Sequence, residues 1–143
     1  MSRDYVTIRG QQREGQTVWT FATVRHERLK SAPAKVTRSN NQYTIMGAAW
    51  GAPIGAVEVQ IDDGPWMATT LRNPVARGTT LRDFSWVFWY FDWKLPASGE
   101  HAIRSRAFDI KGNVQPAPDD PFLASKRTYW ESNGQITRRV LIG

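Results

Sequence analysis

The chain has 143 residues, 41% of them hydrophobic, 22% charged and none of them cysteine, which suits one globular domain with a short extra arm and excludes a disulfide framework, a thiolate metal site and a cysteine nucleophile. Its net charge of +6 comes from scattered basic residues, among them Arg25, Lys35, Arg104, Arg106, Lys126 and Arg139, the pattern of a solvated surface and not of a nucleic-acid groove. No apolar stretch approaches the roughly 20 residues that cross a bilayer, and Met1-Ser2-Arg3-Asp4 lacks the apolar centre of a secretory signal, so a soluble chain is expected, with neither membrane nor nucleic acid as partner.

Residues 1–35 read as an arm. A strand is expected over 5–8, a polar turn over 10–15 and a second apolar stretch over 18–24, followed by Leu29-Lys30-Ser31-Ala32-Pro33, where the proline ends the arm in an extended conformation. Such a segment has too little apolar surface for a core of its own, so it packs on the main domain or belongs to a neighbour missing from the chain. From residue 36 onward strand signals recur with turn residues between them. Residues 43–50 form one strand with Gly47 inside it. Residues 57–61 alternate cleanly up to the turn Asp62-Asp63-Gly64, and 66–71 return to complete a hairpin.

The next strand is unusual. Phe84, Trp86, Phe88, Trp89, Tyr90, Phe91 and Trp93 place seven aromatic rings in the ten positions 84–93. Side chains of an extended strand alternate between faces, so Phe84, Trp86, Phe88 and Tyr90 share one face while Trp89, Phe91 and Trp93 share the other. At about 150–250 Å² per ring, one uncovered face approaches the few hundred Å² that mark a binding surface. The other reading covers both faces with the domain's own loops and second sheet. Beyond this strand come the turn Leu95-Pro96-Ala97-Ser98-Gly99, a strand over 101–108, a turn over 109–113 and a last strand over 136–142. About seven short strands without an amphipathic helix predict an all-β, immunoglobulin-like sandwich of the E-set kind over residues 36–143.

Catalytic patterns are missing from the sequence. It holds no Gly-rich phosphate loop, no metalloprotease helix motif and no Gly-x-Ser-x-Gly turn. His26 and His101 are isolated in polar stretches and are expected on the surface, because two separate imidazoles do not complete a site. Asp62 and Asp63 sit beside a turn glycine, where aspartate stabilises the turn through its own backbone. Asp119-Asp120 before Pro121 reads the same way.

The order of several short stretches is more informative than any one of them. Gly47-Ala48-Ala49-Trp50-Gly51, Val57-Glu58-Val59-Gln60-Ile61-Asp62-Asp63-Gly64-Pro65-Trp66, the Trp-rich strand, Ser105-Arg106-Ala107-Phe108-Asp109 and Gly112-Asn113-Val114-Gln115-Pro116 together resemble the C-terminal dimerisation domain of the sulfite oxidase family of molybdenum-cofactor enzymes, over residues 36–142. Arg3-Asp4-Tyr5 resembles the end of that family's catalytic domain, and Leu29-Lys30-Ser31-Ala32 the passage between the two domains. The resemblance implies a homodimer and a missing cofactor-bearing domain upstream. It also implies a periplasmic or cytoplasmic parent enzyme. It gives Tyr5 the place of the family's pocket tyrosine. Arg127, in Ser125-Lys126-Arg127-Thr128-Tyr129-Trp130, becomes the nearest counterpart of an arginine that reaches the oxyanion, which a planar guanidinium can bind in bidentate fashion. The next residues, Glu131-Ser132-Asn133-Gly134-Gln135, depart from the family's pattern.

The family holds molybdenum through a cysteine thiolate in its catalytic domain. This chain, lacking cysteine, is therefore expected to bind no cofactor and to be inactive alone. The subunit or interdomain interface is assigned to Trp86, Trp89, Phe91 and Trp93. The competing reading is a standalone immunoglobulin-like module that grips a carbohydrate or a protein with exposed tryptophans.

Overall fold

The computed structural model describes residues 6–23, 28–72, 86–124 and 132–143, and within them the chain is built almost entirely from antiparallel β-structure. The first hairpin pairs β1 (Val6–Arg13) with β2 (Gln16–Thr23). The turn is tighter than the polar run over 10–15 suggested. Gly10 stays in the ladder opposite Trp19, and only Glu14 and Gly15 turn, at φ 49° and 78°, the pair of positive angles that matches the twist of a two-residue hairpin.

The rest forms two four-stranded sheets. One has the order β10-β9-β5-β6 and the other β3-β4-β8-β7, with β3 at Lys30–Ser39, β4 at Gln42–Trp50, β5 at Ile54–Ile61, β6 at Met67–Ala68, β7 at Thr70–Arg72, β8 at Val87–Trp93, β9 at Gly99–Asp109 and β10 at Thr137–Ile142. This is the all-β, immunoglobulin-like sandwich expected from the strand count. The return strand over 66–71 is in fact broken. Thr69 donates its backbone N–H and its hydroxyl to Val57 O, at 3.0 and 2.8 Å. Before it, β6 pairs with β5; after it, β7 pairs with β8 in the opposite sheet. One segment therefore laces both sheets at an edge.

Strand β3 runs through the boundary expected between residues 35 and 36. Pro33 does not end it, because β3 is an edge strand and its bulge falls between Pro33 and Lys35, where a missing N–H is tolerated. Asn40 and Asn41, both at positive φ, turn the chain tightly into β4. Pro121–Ala124 makes a single helical turn, with Asp120 O accepting from Leu123 N and Ala124 N and Pro121 in the first-turn position where its absent N–H costs nothing.

The core lies between the sheets, where Ile45, Ala49, Val87, Trp89 and Trp93 from one meet Ile54, Val57, Val59, Ile103, Ala107 and Ile142 from the other. Its largest side chain, Trp89, stands opposite Gly47 in the ladder and donates its indole N–H to Ala48 O at 3.3 Å. A Cβ at Gly47 would collide with that indole and with Ala32 O. The glycine within the predicted strand over 43–50 is thus a space for Trp89 to lie over the sheet.

A polar cluster stitches the two sheets at one end. Gln115, 1% exposed, accepts at Oε1 from Ser31 N (2.9 Å), Ser31 Oγ (2.9 Å) and Ala107 N (3.2 Å). It donates from Nε2 to Gly134 O (3.1 Å) and Ser31 O (3.3 Å). The hydroxyls of Ser31 and Ser105 meet at 2.9 Å. The backbone of Gln115 donates to Ala107 O at 2.8 Å and accepts from Gln135 Nε2 at 3.1 Å. One neutral amide therefore satisfies groups from β3, β9 and the segment leading to β10, as a buried polar network must.

Two substitutions test these packing arguments. Gly47→Ala should overpack the site and lower stability by about 1–3 kcal/mol, measured by urea denaturation followed by tryptophan fluorescence. Gln115→Ala should lose at least about 2 kcal/mol, since it orphans buried donors and acceptors at about 1–3 kcal/mol each. Ser105→Ala should lose about 1 kcal/mol, and thermal unfolding of the two variants side by side checks the order.

Candidate functional site

The two outer faces of the sandwich differ in chemistry. On the β10-β9-β5-β6 sheet the outward side chains include several paired ions alongside exposed Leu141. Arg106 lies over the Trp66 ring at 4.2 Å and near Phe108 at 5.3 Å. It reaches Glu58 Oε2 at 2.5 Å from Nη2 and 2.7 Å from Nε. Arg104 donates to Thr137 Oγ1 at 3.1 Å and sits 4.0 Å from Asp63, and Arg139 pairs with Glu100. Such exposed pairs add little stability, but they leave a face suited to water.

The β3-β4-β8-β7 sheet presents the opposite. Alternation turns Val87, Trp89 and Trp93 into the core and leaves Trp86 and Phe88 57% and 55% exposed. Across the ladders Ala32 lies beside Ala48, and Ala48 beside Phe88; Met46 lies beside Tyr90. Trp86 stacks on half-buried Trp50, with ring centroids 4.7 Å apart and planes 13° from parallel. Offset stacking of this kind contributes about 0.5–1.5 kcal/mol beyond burial and holds the pair as one rigid apolar step. Among the described residues, charge lies around it at Lys35, Arg72 and Asp92. Two rings of about 150–250 Å² each, more than half uncovered, approach the patch size that marks an interaction surface.

The structure divides the four predicted interface aromatics. Trp86 is on the open face. Phe91 is partly buried and packs against the core, while Trp89 and Trp93 lie inside this chain's own sandwich at 1% and 8% exposure, because the facing sheet covers the inward set. Phe88, which strand parity placed on the same face as Trp86, is also exposed on the open face. Tyr5 and Arg127 fall outside the described residues, as do His26 and Phe84.

A cavity of about 510 Å³ is lined by Lys30, Leu123, Ser132, Gln135 and Ile136 among others. Lys30 donates to Ser132 O at 2.9 Å. Burial, and then the nearby Arg138, hold its amine below the usual lysine value.

His101 is not the free surface imidazole expected. Its side chain is 13% exposed, and both ring nitrogens have partners, Nδ1 at 2.5 Å from Asp62 Oδ2 and Nε2 at 2.8 Å from Ala97 O. Nor does the Asp62 side chain bond to its own turn; its Oδ1 accepts from Ala102 N on β9 at 2.8 Å.

The fold and its surfaces define a β-sandwich domain with paired ions on one outer face and exposed aromatic rings on the other. Residues 14–134 match the family of Mo-co oxidoreductase dimerisation domains, and the chain belongs to that family. No curated protein matches it significantly. Membership implies a molybdenum cofactor in the parent enzyme. The donor set of this chain does not fit that group: there is no cysteine, and among the described residues no three His, Asp or Glu side chains converge as ligands would.

Proposed function

We propose that this chain is the self-association domain of a sulfite-oxidase-like molybdenum enzyme, and that the aromatic face of the β3-β4-β8-β7 sheet is its homodimer contact. The observation that carries this reading is the exposed Trp86–Phe88 pair on the face opposite the self-paired arginines. A two-fold contact is self-complementary, and an apolar face lying against its own copy meets that requirement without charge partners.

Strand spacings of about 4.8 Å and 3.3 Å per residue make a four-stranded face of this length roughly 20 by 23 Å. It offers on the order of 400 Å² in projection, against about 800 Å² per partner in a standard interface. The sheet face is thus the centre of a contact whose remainder comes from flanking segments or from the cofactor domain, and the isolated chain should dimerise weakly.

The test is sedimentation across a wide concentration range. The wild type should pass from monomer to a two-fold dimer. Phe88→Asp should weaken the dimer at least tenfold, and Leu141→Asp, on the other sheet, should leave it unchanged. A wild type that stays monomeric, yet binds an oligosaccharide with quenching of its exposed tryptophan, would instead favour the standalone module that the stacked Trp50–Trp86 pair could serve.

Within an assembled parent enzyme, we assign Tyr5 and Arg127 to the rim of the oxyanion pocket, on their resemblance to family positions. Losing a hydrogen bond to a charged group costs about 1.5–3 kcal/mol, so Tyr5→Phe and Arg127→Ala should each lower kcat/KM about tenfold to hundredfold. Steady-state kinetics with sulfite as the first substrate check it. Wild-type values for Arg127→Ala alongside a loss in Lys126→Ala would move the role to the neighbouring cation.

A further inference from the structure

His101 stands where the turn after β5, the connection from β8 to β9 and the end of β8 converge. Asp62 and Asp63 make that turn at φ 50° and 57°, with Gly64 N donating to Ile61 O at 2.9 Å. The turn is tied to β9 twice, by Asp62 N to Ala102 O at 2.9 Å and Ala102 N to Asp62 Oδ1 at 2.8 Å. Asp62 Oδ2 then faces His101 Nδ1, and Ala97 O, from the β8–β9 connection, faces Nε2. The ring also meets Trp93 edge to face, centroids 4.9 Å apart and planes at 89°.

An ionised carboxylate and a backbone carbonyl can only accept. Both contacts are hydrogen bonds only if both ring nitrogens carry a proton, that is, only for the imidazolium. A neutral ring keeps one N–H and must point a lone pair at the other oxygen. Opposite His101 on β10 is apolar Val140, and on β8 is Trp93. Of the nearby charges, Asp63 lies by Arg104 and Glu100 pairs with Arg139, while Lys94 lines the exposed cleft outside Trp93.

We propose that His101 is a proton-operated latch: as the imidazolium it ties the Asp62 turn and the Ala97 connection to the Trp93 end of β8, and on losing its proton it lets go of one of them, loosening that end of the sandwich. The bond to Asp62, then that to Ala97 O, raises the imidazole above its ordinary value of 6.5 against the opposing effect of burial. Asp62 is held below its ordinary 3.8, first by the Ala102 N–H and then by His101. A raised histidine contributes stability that is fully present below its unfolded value and is lost as pH rises through the folded one. The depressed aspartate contributes stability that is lost as pH falls through its own folded value. The latch is therefore closed between the folded value of Asp62, below 3.8, and that of His101, above 6.5, and opens as pH rises through the latter.

Long-range ¹H–¹⁵N NMR of the full chain reads the ring directly, with His101→Gln distinguishing it from His26. Expected are two protonated nitrogens at pH 6.5, a titration midpoint above that of an ordinary histidine, and a downward shift of that midpoint in Asp62→Asn. Urea midpoints at pH 6.5 and 9 should fall with pH in the wild type and much less in His101→Gln. A single neutral tautomer at pH 6.5 would overturn the proposal. So would a high midpoint with the same pH dependence of unfolding in wild type and His101→Gln, since the ring would then be charged without latching anything.

Discussion

The sandwich depends on one buried amide. Two β-sheets can slide over an apolar core with little change in energy, because hydrophobic contact has no direction. Gln115 supplies direction. Its carboxamide fixes Ser31 at the start of β3 against Ala107 on β9 and holds Gly134 on the approach to β10, so one register between the sheets pairs these buried groups and a shifted one leaves them bare. Lys30 and Asn133 extend the same tie outward, through Ser132 O and Leu29 O.

Trp89 sets the second constraint from the opposite direction. A large indole lying flat on a strand needs the facing ladder position to be empty, and Gly47 supplies that vacancy. With Trp89 and Trp93 committed to the core, the alternation of β8 forces Trp86 and Phe88 outward. The aromatic outer face is thus a consequence of filling the inner one with tryptophan. The arginines of the other sheet carry their own partners, in Glu58, Thr137 and Glu100. The family's short sequence words are explained by these contacts: Gly47 by the indole, Ser105 and Gln115 by the stitch, and Arg106 by the Trp66 and Phe108 rings.

Much of this was legible in the residues. Period-two alternation in 57–61 and 84–93, the turn residues at 62–64 and 109–113, and the glycine in 43–50 give the strands, the all-β class and the two faces of the aromatic run, since backbone geometry alone dictates that successive side chains oppose one another. Local signals misled where a neighbour in space overruled them. Pro33 looked like an end, but an edge strand needs no N–H there, and His101 looked solvated in its polar stretch, although Asp62 and Ala97 close over it from elsewhere in the chain.

What the sequence determined by itself is therefore the set of strands and the pairing of residues by face, both properties of a single extended chain. Which face of β8 turned inward, which tryptophans remained exposed, and which polar residues became buried ties were decided only when distant segments met. Ser31 and Gln115 are 84 positions apart, and Asp62 and His101 are 39 apart; no local pattern encodes a hydrogen bond whose two ends are brought together by the packing of two sheets.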